Sequence, residues 1–361
     1  MPPLFSAEAL HQSPPNVRLA SAARTPRRSE SALVPIAQAI TPKLKETLRG
    51  PSRIESRLLD VIANDDGNGP ILYQHTIFCQ TCLPYRDPGD DVRVWERSNG
   101  RAHLEVLAGK AMHPREGRFV ELGLPFGPKA RMILMHINQR ALLAQSPIIE
   151  VEDSLTQFVG KVLKLDPKGR NIKAVKNQLS RLAAASIRLG IVRDDQAITV
   201  NSNIVSAFDL WFPKDERQRV LWPSTVSLSL DYFQSLMSHA VPIDEAHIAA
   251  LSHSSLALDI YSWLAQRLHR IPPERPQTIS WLALFAQFGQ GYNPDHICKF
   301  RQVFRVALKE VLMIYKAARV DDDEAGPTHR CIQNGKALWR QEALKGLTLF
   351  HSAPPVRKLL L

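Results

Sequence analysis

The chain has 361 residues, with 46 Lys and Arg against 35 Asp and Glu, a formal net charge of +11 at pH 7. At 44% apolar and 22% charged it reads as a soluble folded protein of two or three domains, not a disordered one. No apolar run approaches the roughly 18 residues of a membrane span, and no compact apolar core precedes a small-residue cleavage site. Export is therefore not expected, and a cytoplasmic setting is. The excess positive charge favours a polyanionic partner, nucleic acid before anionic membrane.

Residues 1–50 are rich in Pro, Ala and Ser around a basic ARTPRRS and read as a flexible basic tail. SRIESRLLDVIAN follows as a short helix. From Ile71 the pattern turns to strands. ILYQHTIFCQTCLPY is one, and VRVWER and AHLEVLAG flank Ser98-Asn99-Gly100-Arg101, a hairpin signal. GPKARMILMHINQRALLAQ then carries Ile133, Leu134, Ile137, Ala141 and Leu142 at helical spacing. Pro147 stops it, IIEVED gives a short strand, and Asp153 or Ser154 caps the helix SLTQFVGKVLKL. A DPKG turn leads into RNIKAVKNQLSRLAAA, and SIRLGIVRDDQAITVNSNIVSAFDLWF supplies two or three strands.

Helix, short strand, helix, tight turn, helix and hairpin is the element order of a winged helix, whose third helix reads the major groove. The order recurs. SSLALDIYSWLAQRLHR ends at Pro272-Pro273, TISWLALFAQFG has Thr278 or Ser280 as its cap, and DHICKFRQVFRVALKEVLMIY is another long helix. ARVDDDEAGPTHRCIQ and ALKGLTLFHSA close the pattern with wing-like strands. The expected fold is α+β, two tandem winged-helix domains with a small N-terminal β-hairpin region. Residues 1–50 are the tail, 51–215 hold the N-terminal strands and first winged helix, and 216–361 hold the second.

Placed at 100° per residue, Ile172, Val175, Leu179, Leu182 and Ala183 share one arc of the first basic helix. Arg170, Lys173, Lys176, Asn177, Ser180 and Arg181 share the opposite one, with Lys168 just ahead of them. A merely solvated face mixes signs, because Glu–Lys pairs at i,i+4 stabilise it. Between Lys161 and Arg181 the only acid is Asp166, so these cations repel one another, and phosphate contact is the reason they would be kept. In the later helix Ile297, Phe300, Phe304, Ala307, Leu308 and Val311 form the apolar stripe. Arg301, Arg305 and Lys309 stack at i,i+4 on another face, beside Lys299 and Gln302. Arg suits guanine and Gln suits adenine, so Arg301, Gln302 and Arg305 are the expected base readers. The basic helices lack an exposed aromatic stacking pattern, which favours duplex over single strand.

Catalysis is not indicated. No GxxxxGK[ST] occurs, and CIQNGKAL lacks both the first glycine and the Ser or Thr. The 12 histidines are scattered without an HExxH, and His136, His247 and His269 fall on predicted helices. Asp321-Asp322-Asp323-Glu324 reads as a solvated turn. Cys79-Gln-Thr-Cys82 is half a zinc site, and with Cys298 and Cys331 alone no second pair completes it. No metal and no cofactor are expected.

These residues resemble the plasmid-encoded RepA replication initiators, from about Gln80 to Pro355. The likeness is carried by TCLPYRDPGD, VWERSNGRAHLEV, ELGLPFGPKARMILMHINQRAL, IEVEDSL, RNIKAVKNQLSRLAAASIRL, ISWLALFAQFG, FRQVFRVALKEV and GLTLFHSAPPV. The resemblance implies a protein that binds duplex origin repeats (iterons), helps open adjacent AT-rich DNA, and recruits the host initiator DnaA and the helicase DnaB. It also implies control of plasmid copy number and a chain existing as homodimer or monomer. The competing reading is a winged-helix transcriptional regulator without a replication role. A DNA-nicking or priming enzyme lacks its carboxylate–metal or tyrosine–histidine constellation.

Overall fold

Helices alternate with brief strands in the computed structural model, which describes residues 52–64, 69–113, 117–150, 155–193, 196–203, 205–208, 225–322 and 346–356. In chain order these are α1 (Arg53–Asn64), β1 (Ile71–His75), α2 (Thr76–Gln80), β2 (Val94–Asn99), β3 (Ala102–Leu107), β4 (Lys110–His113) and β5 (Arg118–Glu121). Then come α3 (Gly127–Ala144), β6 (Ile148–Glu150), α4 (Leu155–Gln157, running into a π-turn over Phe158–Val162), α5 (Gly169–Ala184), β7 (Ser186–Arg193), β8 (Gln196–Asn203), β9 (Val205–Phe208) and β10 (Thr225–Leu228). The remainder are α6 (Leu230–His239), β11 (Ala240–Asp244), α7 (Glu245–Ala250), α8 (Ser255–Arg267), β12 (Gln277–Ser280), α9 (Trp281–Phe288), α10 (Ile297–Ile314), β13 (Val320–Asp322) and β14 (Gly346–Leu349). The fold is a mixed α+β one, and Arg53–Leu361 make up one compact unit.

Helix α3 runs through the core. Ala130 through Asn138 are all buried, so it meets protein on every side. Its neighbours are β1, β6, α5, α6 and α8. The first turn depends on Gly127, whose φ of +76° is a left-handed value that a side chain would strain. Gly127 N donates to Pro84 O at 2.9 Å, and Pro128 occupies the first turn, where no amide hydrogen is needed.

One turn on, Arg131 is 2% exposed and uses every donor. Its Nε and Nη2 each donate to Asp259 of α8 at 2.7 Å. Nη1 donates to Gly127 O at 2.9 Å and Pro84 O at 3.2 Å, and Nη2 to Leu83 O at 2.8 Å. Burial works against the guanidinium charge, but the facing Asp259 carboxylate and its bonds outweigh it and raise the Arg131 pKa. The pair thus ties α3, α8 and the Leu83–Pro84 segment together.

Strands β2, β3, β7 and β8 form an antiparallel sheet in that order. The expected hairpin is there: Asn99 pairs with Ala102 across a turn in which Gly100 has φ +59°. The hairpin β7–β8 behind α5 was expected as a wing, but β7 lies along β3, with Leu104 opposite Leu189. The cause is apolar patterning on one face: Leu104 and Val106 are buried with Ile187 and Leu189. Strand β6 pairs with β10, and β10 with β9, so β6 does not join that hairpin. Towards the C-terminus β14 lies between β12 and β13.

The single strand expected over 71–85 is instead β1 followed by α2. His75 ends the strand and caps the helix, its Nδ1 accepting from Ile77 N at 3.2 Å. Cys79 and Cys82 are buried free thiols, and Gln290 Nε2 donates to Cys82 Sγ at 3.0 Å. Among the described residues no three His, Cys, Asp or Glu side chains converge as a metal site, and no described helix is long and apolar enough to cross a membrane. Ser280 caps α9 as read from the sequence, accepting from Ala283 N at 3.2 Å. The tail 1–50, the Asp153 and Ser154 caps, Cys331 and Asp323-Glu324 lie outside the described residues.

Candidate nucleic-acid interface

Helix α5 begins where Lys168 adopts extended backbone, and no side chain caps it. Val175, Leu179 and Leu182 seat it on the core, and Gln178 Oε1 accepts from Phe126 N at 2.8 Å. That bond holds the beginning of α3 against the middle of α5. Between the two helices lies a hollow of about 390 Å³, lined by Pro128, Lys129, Arg170, Lys173, Ala174 and Asn177 among others. Burial, and then the Arg170 charge, lower the pKa of Lys129. Three cations and the positive end of an 18-residue helix therefore face one small space.

Of the residues expected on this helix, Lys168, Arg170, Lys173 and Asn177 are exposed. Lys168 Nζ lies 2.7 Å from Asp166, and Lys176 is half-buried, which lowers its pKa. Ser180 and Arg181 are buried instead, a correction to the wheel. Ser180 Oγ donates back to Lys176 O at 2.9 Å. Arg181 Nη1 reaches Asp87 and Leu124 O, both at 3.1 Å, and its guanidinium stacks 5.1 Å from the Phe126 ring. Loops far away in sequence cover the end of α5, which no helical wheel shows.

The second helix is corrected in the same way. Arg301 is 7% exposed, not on an outward face, and lies 5.1 Å from the Trp281 ring. Arg305 shares that ring at 5.2 Å, and its Nε and Nη2 donate to Asp322 at 2.5 and 2.9 Å. Lys299, Gln302 and Lys309 are exposed, and among the described residues none of them has an ionic or hydrogen-bonding partner. The sequence reading missed Lys129. Its only signal was a lysine just inside the helix start, and its significance rests on the approach of α5.

Residues 124–283 match the family described as plasmid encoded RepA protein. No curated protein matches the chain. Two solved structures of RctB domains 2 and 3 are similar in part. One, of selenomethionine derivatives, has a TM-score of 0.41 at 8% identity over 65% of this chain and 81% of that one. The other has 0.40 at 9% identity over 70% and 85%. The family match, over less than half of the chain, takes in α3, the hollow and all of α5.

Proposed function

We propose that the chain is a plasmid replication initiator that grips duplex origin repeats through the start of α5 and the outward face of α10. The observation that carries this reading is the cluster of Lys129, Arg170 and Lys173 around the hollow at the start of α3 and α5, within the family-matched segment. Such a cluster neutralises phosphate and releases counterions. Lys168, Lys176 and Asn177 extend it along the helix. Arg181, Ser180, Arg301 and Arg305 act behind it, holding the helices in place. Among the described elements α3 to β8 and α8 to β14 each follow the order helix, strand, helix, helix and strands, which supports the reading of winged helices within 51–215 and 216–361. The protein acts in the cytoplasm as a DNA-binding initiator without catalysis of its own, with DnaA and DnaB as host partners and a homodimer as one of its states.

Fluorescence anisotropy on duplexes from the DNA flanking the gene tests this. Replacing Arg170 or Lys173 by Ala should weaken binding on all sequences and lower the salt slope by about one per contact. An unchanged slope for both would overturn the proposed grip. Deleting the gene from a mini-plasmid separates initiator from regulator: replication stops in the first case, and only expression changes in the second.

A further inference from the structure

The outward arc of α10 is chemically unusual for a solvated helix. Around the axis Lys299, Gln302, Val303, Val306, Lys309, Glu310 and Met313 fall within about 120°, with Val306 near the centre and Glu310 half-buried against His253. Val306 is 57% exposed, Met313 40% and Val303 38%, while the arginines of the same helix are turned inward. Surface apolar residues gathered on one face mark a contact surface. Lys299 and Lys309 stand about 15 Å apart along the axis, more than the width of a major groove.

A groove of about 910 Å³ runs beside the valines, against Tyr85, Arg86 and Trp95. Its acids are engaged: Asp87 pairs with Arg181 and Glu310 with His253, each at 3.1 Å. Its Arg86, His296 and Lys299 are exposed. The charged side chains lining the groove balance, Arg86 and Lys299 against Asp87 and Glu310, so the case for a phosphate backbone rests on Lys299 and Lys309 at the two ends of the valine face and on the chain's net charge of +11.

We infer that the outward face of α10 reads adenine–thymine pairs in the major groove, Val306 and Val303 packing on thymine methyls and Gln302 bonding adenine, between phosphates held by Lys299 and Lys309. Thymine alone presents a methyl in that groove, and a glutamine amide fits adenine N6 and N7. The inference rests on the duplex-binding reading above. It replaces the guanine-reading role expected of Arg301 and Arg305 by one the exposed side chains can perform.

The test uses the full chain and duplexes selected from a random-sequence pool at fixed salt. Each selected duplex is remade with uracil at single thymine positions, which removes only the methyl. For the wild type, one or more positions should lose about three- to fivefold in affinity, as expected for one buried methyl. Val306→Ala should bind the uracil duplex as the wild type does and show no further loss at that position. Gln302→Ala should relax an adenine preference. Both side chains are exposed, and an unchanged urea midpoint verifies folding. If the wild type ignores the methyl, or Val306→Ala weakens thymine and uracil duplexes equally, the inference is overturned and the valine face belongs to a protein partner. If no duplex is enriched at all, the duplex-binding reading itself falls.

Discussion

Replacing Asp259 by Asn keeps the shape of the side chain and removes its charge. In the native chain the carboxylate accepts two 2.7 Å bonds from Arg131, and the side chains are 2% and 8% exposed. With Asn, one oxygen can still accept from Nε, while the amide N–H₂ is turned against Nη2. The guanidinium keeps its three carbonyl partners but loses its counter-charge at a site that water does not reach. Breaking a buried pair in this way costs about 3–5 kcal/mol. Urea unfolding at pH 7, followed by circular dichroism and by the fluorescence of the buried Trp263, should show the midpoint falling with little change in slope. The double variant Arg131→Met/Asp259→Leu should recover part of the loss: Pro84 O and Leu83 O each lose one bond but keep Gly127 N and Gln290 Nε2 as donors. A loss below about 1 kcal/mol for Asp259→Asn would refute the claim that this pair fixes α3 on α8.

Acid should destabilise the fold early. Burial pushes His75 down to about 3 and His136 to about 4, so both stay neutral in the folded chain while the unfolded chain protonates them below about 6.5. Stability is then complete above that pH and falls as pH drops towards the folded values, by about 2 kcal/mol per histidine at pH 5; a flat stability between pH 7 and 5 in urea titrations would contradict this. Burial also raises Cys82 to about 11 and Cys79 further. Iodoacetamide at pH 8 should therefore leave both unmodified in the native protein and label them in urea, whereas rapid native labelling seen by peptide mapping would refute their burial. Arg181→Lys should lower the urea midpoint, because one ammonium cannot bridge Asp87 and Leu124 O while stacking on Phe126; a neutral substitution would return Arg181 to the list of phosphate contacts.

Local periodicity made much of this molecule legible before any coordinates. The apolar arcs of α5 and α10, the Asn99-Gly100 hairpin and the Ser280 cap all follow from spacing within one element. One failure was local: His75 turns a strand into a helix by capping it, although the stretch is rich in strand-favouring residues. The others came where a distant segment decides. The covers over Arg181 come from Asp87 and Phe126, and that over Arg301 from Trp281 on another helix. A wheel gives an angle, not what stands at that angle. Lys129 was invisible for the converse reason: its meaning depends on Arg170, 41 positions later, being near it.

The corrections to the cations share one chemical cause. Arg181, Arg301 and Arg305, like Arg131, are drawn inward, and Lys168, Lys173, Lys299 and Lys309 are left in water. A guanidinium has five donors in a rigid plane and is weakly hydrated, so it can satisfy a carboxylate, backbone carbonyls and an aromatic face together. An ammonium is a strongly hydrated point charge, better suited to a phosphate that stays wet. Charge density in the sequence assigned Arg181, Arg301 and Arg305 to DNA, where their geometry suits them to holding protein. In the proposed complex, affinity then comes mainly from lysines and Arg170 and is steeply salt-dependent. Sequence choice falls to the few uncharged groups that share their faces, Asn177 on α5 and Gln302, Val303 and Val306 on α10.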